Sequence, residues 1–132
     1  MKTKSFILTL CIALLLFTTG CAQQTQEQST DTAVVLFKYT DYKGETIVEK
    51  SFEVKKGSNA FEAMKENIEV GFENYAIGPF IQSIEGVAAP EGYYFALYVN
   101  GSYAEKGIAD YTIEENIIIE WKTQSLGDFP SE

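Results

Sequence analysis

Histidine is absent from the 132 residues, and so is arginine. Without histidine, no Ser-His-Asp or Cys-His pair can activate a nucleophile. Cysteine occurs twice, at Cys11 and Cys21, so the chain beyond residue 21 holds no thiol, no disulfide and no thiolate or imidazole zinc site. Neither "GxxxxGK[ST]" nor "GxGxxG" appears, which removes the common phosphate loops. Basic charge is scarce as well: ten lysines stand against nineteen acids, a formal net charge of −9. A phosphate-binding surface needs a basic patch, so nucleic acid is excluded as a partner class. With these chemistries missing, the expectation is a binding module and not an enzyme.

The apolar residues are distributed in an equally telling way. Residues 6–17, "FILTLCIALLLF", follow Lys2 and Lys4 and are too few to span a bilayer, which takes about 20. This reads as a secretory leader over residues 1–20. The junction "TTGC" resembles the lipobox of bacterial lipoproteins, in which the cysteine is lipidated and becomes the new N-terminus. On that reading Cys21 carries the lipid, and the protein is extracytoplasmic and anchored to the cell membrane. Losing Lys2 and Lys4 deepens the charge from −9 to −11. Residues 22–32, "AQQTQEQSTDT", are polar and complete a tether over 21–32.

The expected folded domain covers residues 33–124, with a loose tail at 125–132. "AVVLFKY" (33–39) and "TIVEKSFEV" (46–54) read as a hairpin of two strands, the second alternating with a period of two. In 55–69, Phe61, Met64, Lys65 and Ile68 fall at helical spacing, with Asn59 and Glu62 as a capping box. Residues 70–80 read as irregular, 81–87 as a strand, and 93–100 as a strand running into Asn100-Gly101, a strong type I′ hairpin signal. Residues 117–123 form the last strand. Two strands, a helix, then three or four strands predict an α+β fold: a β-grasp-like mixed sheet with one packed helix.

Five tyrosines (Tyr93, Tyr94, Tyr98, Tyr103, Tyr111) crowd the Asn100-Gly101 turn. Rings of this kind are either core or a platform for a ligand. Tyr94 and Tyr98 share one strand face and are candidate ligand contacts on that pattern. No group of carboxylates is spaced as a metal site, and no covalent cofactor is expected.

"GYYFALYVNG" (92–101), "GIADY" (107–111) and "IIIEW" (117–121) together resemble the C-terminal domain shared by transcobalamin, intrinsic factor and haptocorrin, and related bacterial lipoproteins of unknown function. The resemblance covers about residues 33–123. It implies a β-grasp-like fold and a ligand, with cobalamin or a related tetrapyrrole as the named candidate. Carried across by position, it points to Phe95, Ser102, Tyr103 and Ala104 as ligand contacts. In those carriers a second domain completes the site, which implies a partner for this chain. The alternative is a protein–protein interaction or adhesion module serving a membrane transporter or another surface protein.

Overall fold

In the computed structural model, residues 31–128 are described. The leader, Cys21 and most of the tether lie outside the described residues. Strand β1 (Thr32–Thr40) alternates, burying Ala33, Val35, Phe37 and Tyr39. It pairs antiparallel with β2 (Thr46–Lys55), which buries only Val54 and half-buries Val48 and Phe52. A strand with one apolar face makes a sheet with one covered side.

Residues Ser58–Asn59 form the short strand β3, and the helix α1 is confined to Ala60–Asn67. It is shorter than the helical pattern over 55–69 suggests. Gly57 at φ 86° and the pairing of Ser58 with Ile113 hold the preceding residues extended. Asn59 caps the helix: its Oδ1 accepts the N–H groups of Phe61 (3.0 Å) and Glu62 (3.2 Å). Glu62 turns to Lys65 instead, at 2.8 Å. The capping box is thus half made.

Residues 70–80 are not irregular. β4 (Val70–Tyr75) and β5 (Gly78–Ile84) form a hairpin, and β5 turns through Glu85-Gly86 into β6 (Val87–Ala88). The expected strand over 81–87 therefore breaks at Glu85. Both turn residues have positive φ, 50° and 74°. Glutamate is rare in that conformation, which hides the turn from a residue-type reading.

β7 (Tyr93–Val99) and β8 (Ser102–Tyr103) flank Asn100 (φ 50°) and Gly101 (φ 84°), as a type I′ turn requires. A 3-10 turn at Ile108–Asp110 leads to β9 (Thr112–Ile113) and β10 (Ile117–Ser125). β10 extends past residue 123, and Leu126–Asp128 closes as a second 3-10 turn.

The main sheet has the order β2-β1-β10-β7-β8; β1 and β10 run parallel and the other pairs antiparallel. A three-stranded sheet, β4-β5-β6, stands apart from it. One cluster joins Val35, Phe37, Ile117, Ile119 and Trp121 of the main sheet to Phe61, Met64 and Ile68 at α1 and to Ile81 and Ile84 of β5. The fold is α+β, with mixed sheets and one packed helix.

Candidate functional site

The hairpin rings are placed by the alternation of β7. Its odd residues face the covered side: Phe95 is half-buried, with its ring 5.6 Å from that of Tyr39. Its even residues face the open side. There Tyr94 and Tyr98 meet Gln124 of β10, with hydroxyls 3.4 and 3.3 Å from Oε1, and Gln124 Nε2 donates to the Tyr98 hydroxyl at 3.1 Å. Lys122 Nζ lies 4.3 Å from the centre of the Tyr98 ring. Tyr103, directly across the hairpin, packs edge-on against Tyr98 at 5.6 Å. Burial is the largest cause lifting the Tyr94 phenol to about 12, followed by its hydrogen bond with Tyr103. Tyr93 packs on Tyr42 at 5.3 Å, and Tyr111 lies 4.5 Å beneath Lys106 Nζ.

A slot of about 470 Å³ opens between β7 and β5. Tyr94, Phe95, Leu97 and Trp121 line it on the main-sheet side. Tyr103, Ala104, Lys106, Gly107 and Ile108 close one end, and Pro79, Phe80, Ile81 and Gln82 of β5 stand opposite. Of the six ligand contacts expected from sequence, four (Tyr94, Phe95, Tyr103 and Ala104) line this slot. Ser102 sits instead in an adjoining hollow with Tyr103, Glu105, Lys106 and Tyr111. Tyr98 belongs to the open face, beside Gln124. The strand face shared by Tyr94 and Tyr98 thus leads to two different surroundings.

The β5 wall and Trp121 are additions that sequence reasoning does not reach. Trp121 is buried, and its indole N–H has no hydrogen-bond partner among the described residues. A buried donor left unmade costs about 1–3 kcal/mol. Beyond the slot, the β4–β5 hairpin presents an apolar tip: Ile77 is 97% exposed, Phe80 59% and Tyr75 54%. The Tyr75 and Phe80 rings meet edge-on at 6.1 Å.

The "GIADY" string has a structural task. Ala109 O accepts from Asn59 Nδ2 at 2.7 Å, and Tyr111 O accepts the Ala60 N–H at 2.9 Å. The segment fixes the start of α1 while Gly107 and Ile108 reach the slot.

Among the described residues, no group of three or more His, Cys, Asp or Glu is placed to hold a metal ion. Nor is any helix there long and apolar enough to cross a membrane.

Fold and site together define a small α+β module with an aromatic slot at a sheet edge. Residues 57–125 match the family model "Domain of unknown function (DUF4430)", and the chain belongs to that family. Among solved structures, it is similar to haptocorrin in complex with Cbi: TM-score 0.55 and 22% identity, covering 70% of this chain. The match spans only 25% of the haptocorrin chain. It is also similar to a protein from Ruminococcus gnavus ATCC 29149, provisionally described as metal binding: TM-score 0.58 and 14% identity, covering 70% of this chain and 97% of that one. No curated protein matches. At the level of fold, these findings bear out the relationship to the transcobalamin-type C-terminal domain.

Proposed function

We propose that the protein is a binding module that takes a flat, amphipathic ligand in the slot between β7 and β5, with cobalamin or a related tetrapyrrole as the ligand. The observation that carries this reading is the slot itself. Three residues picked out by resemblance to the cobalamin carriers (Phe95, Tyr103 and Ala104) and Tyr94, picked out by its strand face, converge on it, and its volume falls within the usual range for ligand pockets, roughly 300–1,000 Å³. Likeness to haptocorrin in complex with Cbi supports the choice of ligand class. Ring faces and apolar side chains suit a macrocycle edge, and tyrosine hydroxyls suit its polar rim. An open slot of this size buries only part of such a ring, so a partner, a transporter or another surface protein, supplies the opposing surface. The lipid on Cys21 holds the module at the outer face of the membrane. No bond-making chemistry is assigned to it.

The chain carries a single tryptophan, and Trp121 lines the slot, so binding has a built-in reporter. Titrating the purified protein with cyanocobalamin should give saturable quenching of Trp121 and a matching calorimetric heat. Tyr103→Ala, at a side chain 37% exposed, should weaken both without unfolding the protein. No heat and no quenching up to millimolar cobalamin removes the corrinoid reading.

A further inference from the structure

Along β7 the main-chain groups of even residues turn toward β10. The Asn100 N–H reaches Ile118 O at 2.9 Å, and the Leu126 N–H reaches Gly92 O at 2.9 Å. Odd residues therefore turn the other way, toward β8. There Val99 pairs with Ser102, and the Ala104 N–H bonds to Leu97 O at 2.9 Å. β8 stops at Tyr103, and the edge of β7 runs on past it. Among the described residues, the N–H of Leu97 and both main-chain groups of Phe95 find no hydrogen-bond partner. Phe95 and Leu97 both line the slot.

The opposite wall repeats the situation. β6 pairs only with Ser83 and Ile84, so β5 has no strand beside residues 79–82 on its β6 side, and those four residues line the slot. The slot thus lies between incompletely paired stretches of two strands, one from each sheet. Exposed edges are usually blunted by charge, proline or a bulge. The β7 sequence "YYFALYV" has no charge and no proline, and its pairing with β10 runs without a register shift. Its protection is recession: β5 and the 104–108 segment wall it in. A recessed edge excludes another sheet but admits one extended chain.

We propose that the slot receives an extended polypeptide segment of a partner protein, added as a strand to the open edge of β7. The Tyr93 N–H is taken by Pro90 O at 3.0 Å, so the open stretch is the Phe95 N–H and C=O and the Leu97 N–H, on alternate residues about 6.6–6.8 Å apart, a spacing that the main chain of a peptide matches. Apolar side chains on one face of the segment meet Leu97, Ile108 and Trp121. The net charge of −9, without arginine, favours a segment flanked by basic residues. This goes beyond the corrinoid reading and stands apart from it, since it rests on main-chain groups and not on ring faces.

The probe is the peptide Ac-KVTVTVK-amide, added to the purified protein without cobalamin. Calorimetry measures binding, and amide hydrogen exchange reads the edge. The expected result is saturable binding, with exchange at Phe95 and Leu97 slowed about tenfold or more. Two analogues, N-methylated on one or the other alternate set of residues, separate strand addition from loose apolar contact. At least one of them should lose binding about tenfold. Absence of binding at millimolar peptide, unchanged exchange at Phe95 and Leu97, or equal affinity of all three peptides overturns the proposal. None of these readouts depends on cobalamin, so failure here and failure of the corrinoid reading are distinguishable.

Discussion

Tyr94 and Tyr39 show how one residue type serves two ends at one sheet. Tyr39 is buried in the core, and its hydroxyl shares a 2.9 Å hydrogen bond with Thr123 Oγ1. Burial raises its pKa, and the Thr123 hydrogen bond partly opposes that. Tyr94 is half-buried at the slot and is raised to about 12, from an ordinary value near 10. In each case the folded state holds the phenol proton more tightly than the unfolded chain does. Their stabilising contribution is complete below pH 10 and is lost as pH rises through the folded values. Between pH 10 and about 12, stability to urea should therefore fall with pH. Tyr94→Phe should flatten that fall and remove one late step from the phenolate absorbance titration. A titration unchanged by Tyr94→Phe would show that the phenol is not held by this site. No sequence rule separates Tyr39 from Tyr94, because both sit in alternating aromatic strands. What separates them is which neighbours cover them.

At the scale of elements, α1 is eight residues long, too short to persist on its side-chain preferences alone. It depends on Asn59 at one end and on core packing along its length. Asn59 does three things: it caps Phe61 and Glu62, it ties the helix start to Ala109, and its backbone pairs with Thr112. Asn59→Ala keeps the pairing and removes the other two. It should cost about 1–2 kcal/mol in urea denaturation, with loss of order reaching the 107–111 segment that forms one end of the slot. If that segment keeps its amide protection in the variant, the link between cap and slot fails. The cap, the alternation of β2 and β7 and the Asn100-Gly101 turn are all legible in the sequence, since each rests on contacts between near neighbours. The β4–β5 hairpin is not. Its turn at Ala76-Ile77 lacks the Asn-Gly type of signal, and its exposed Tyr75, Ile77 and Phe80 resemble core residues by composition. The slot is half legible: β7 is marked by its local pattern and Phe95 and the 102–104 segment by the family resemblance, whereas the β5 wall and Trp121 arrive through tertiary packing alone.

For the whole molecule, what matters is how a small acidic domain is presented. The described residues start at Asp31, so about ten residues separate the fold from Cys21. At full extension they reach at most about 36 Å, well beyond the radius of gyration of about 13 Å expected for a domain of this size. On the proposed lipidation of Cys21, the slot can therefore stand clear of the membrane, and the proposed anchor and the slot are separable functions. The acidic composition gives no electrostatic hold on anionic lipid, so on the proposed lipidation of Cys21 attachment would rest on the acyl chains, each buried methylene contributing about 0.8 kcal/mol. Cys21→Ser should move the protein from the membrane fraction to the soluble fraction. Its circular dichroism and its affinity for cobalamin should stay as they were, because the slot is lined by residues between Pro79 and Trp121. Retention of the Cys21→Ser protein at the membrane would mean that another surface holds it there. The tip of Tyr75, Ile77 and Phe80, the most exposed apolar group in the described fold, is then the first place to substitute.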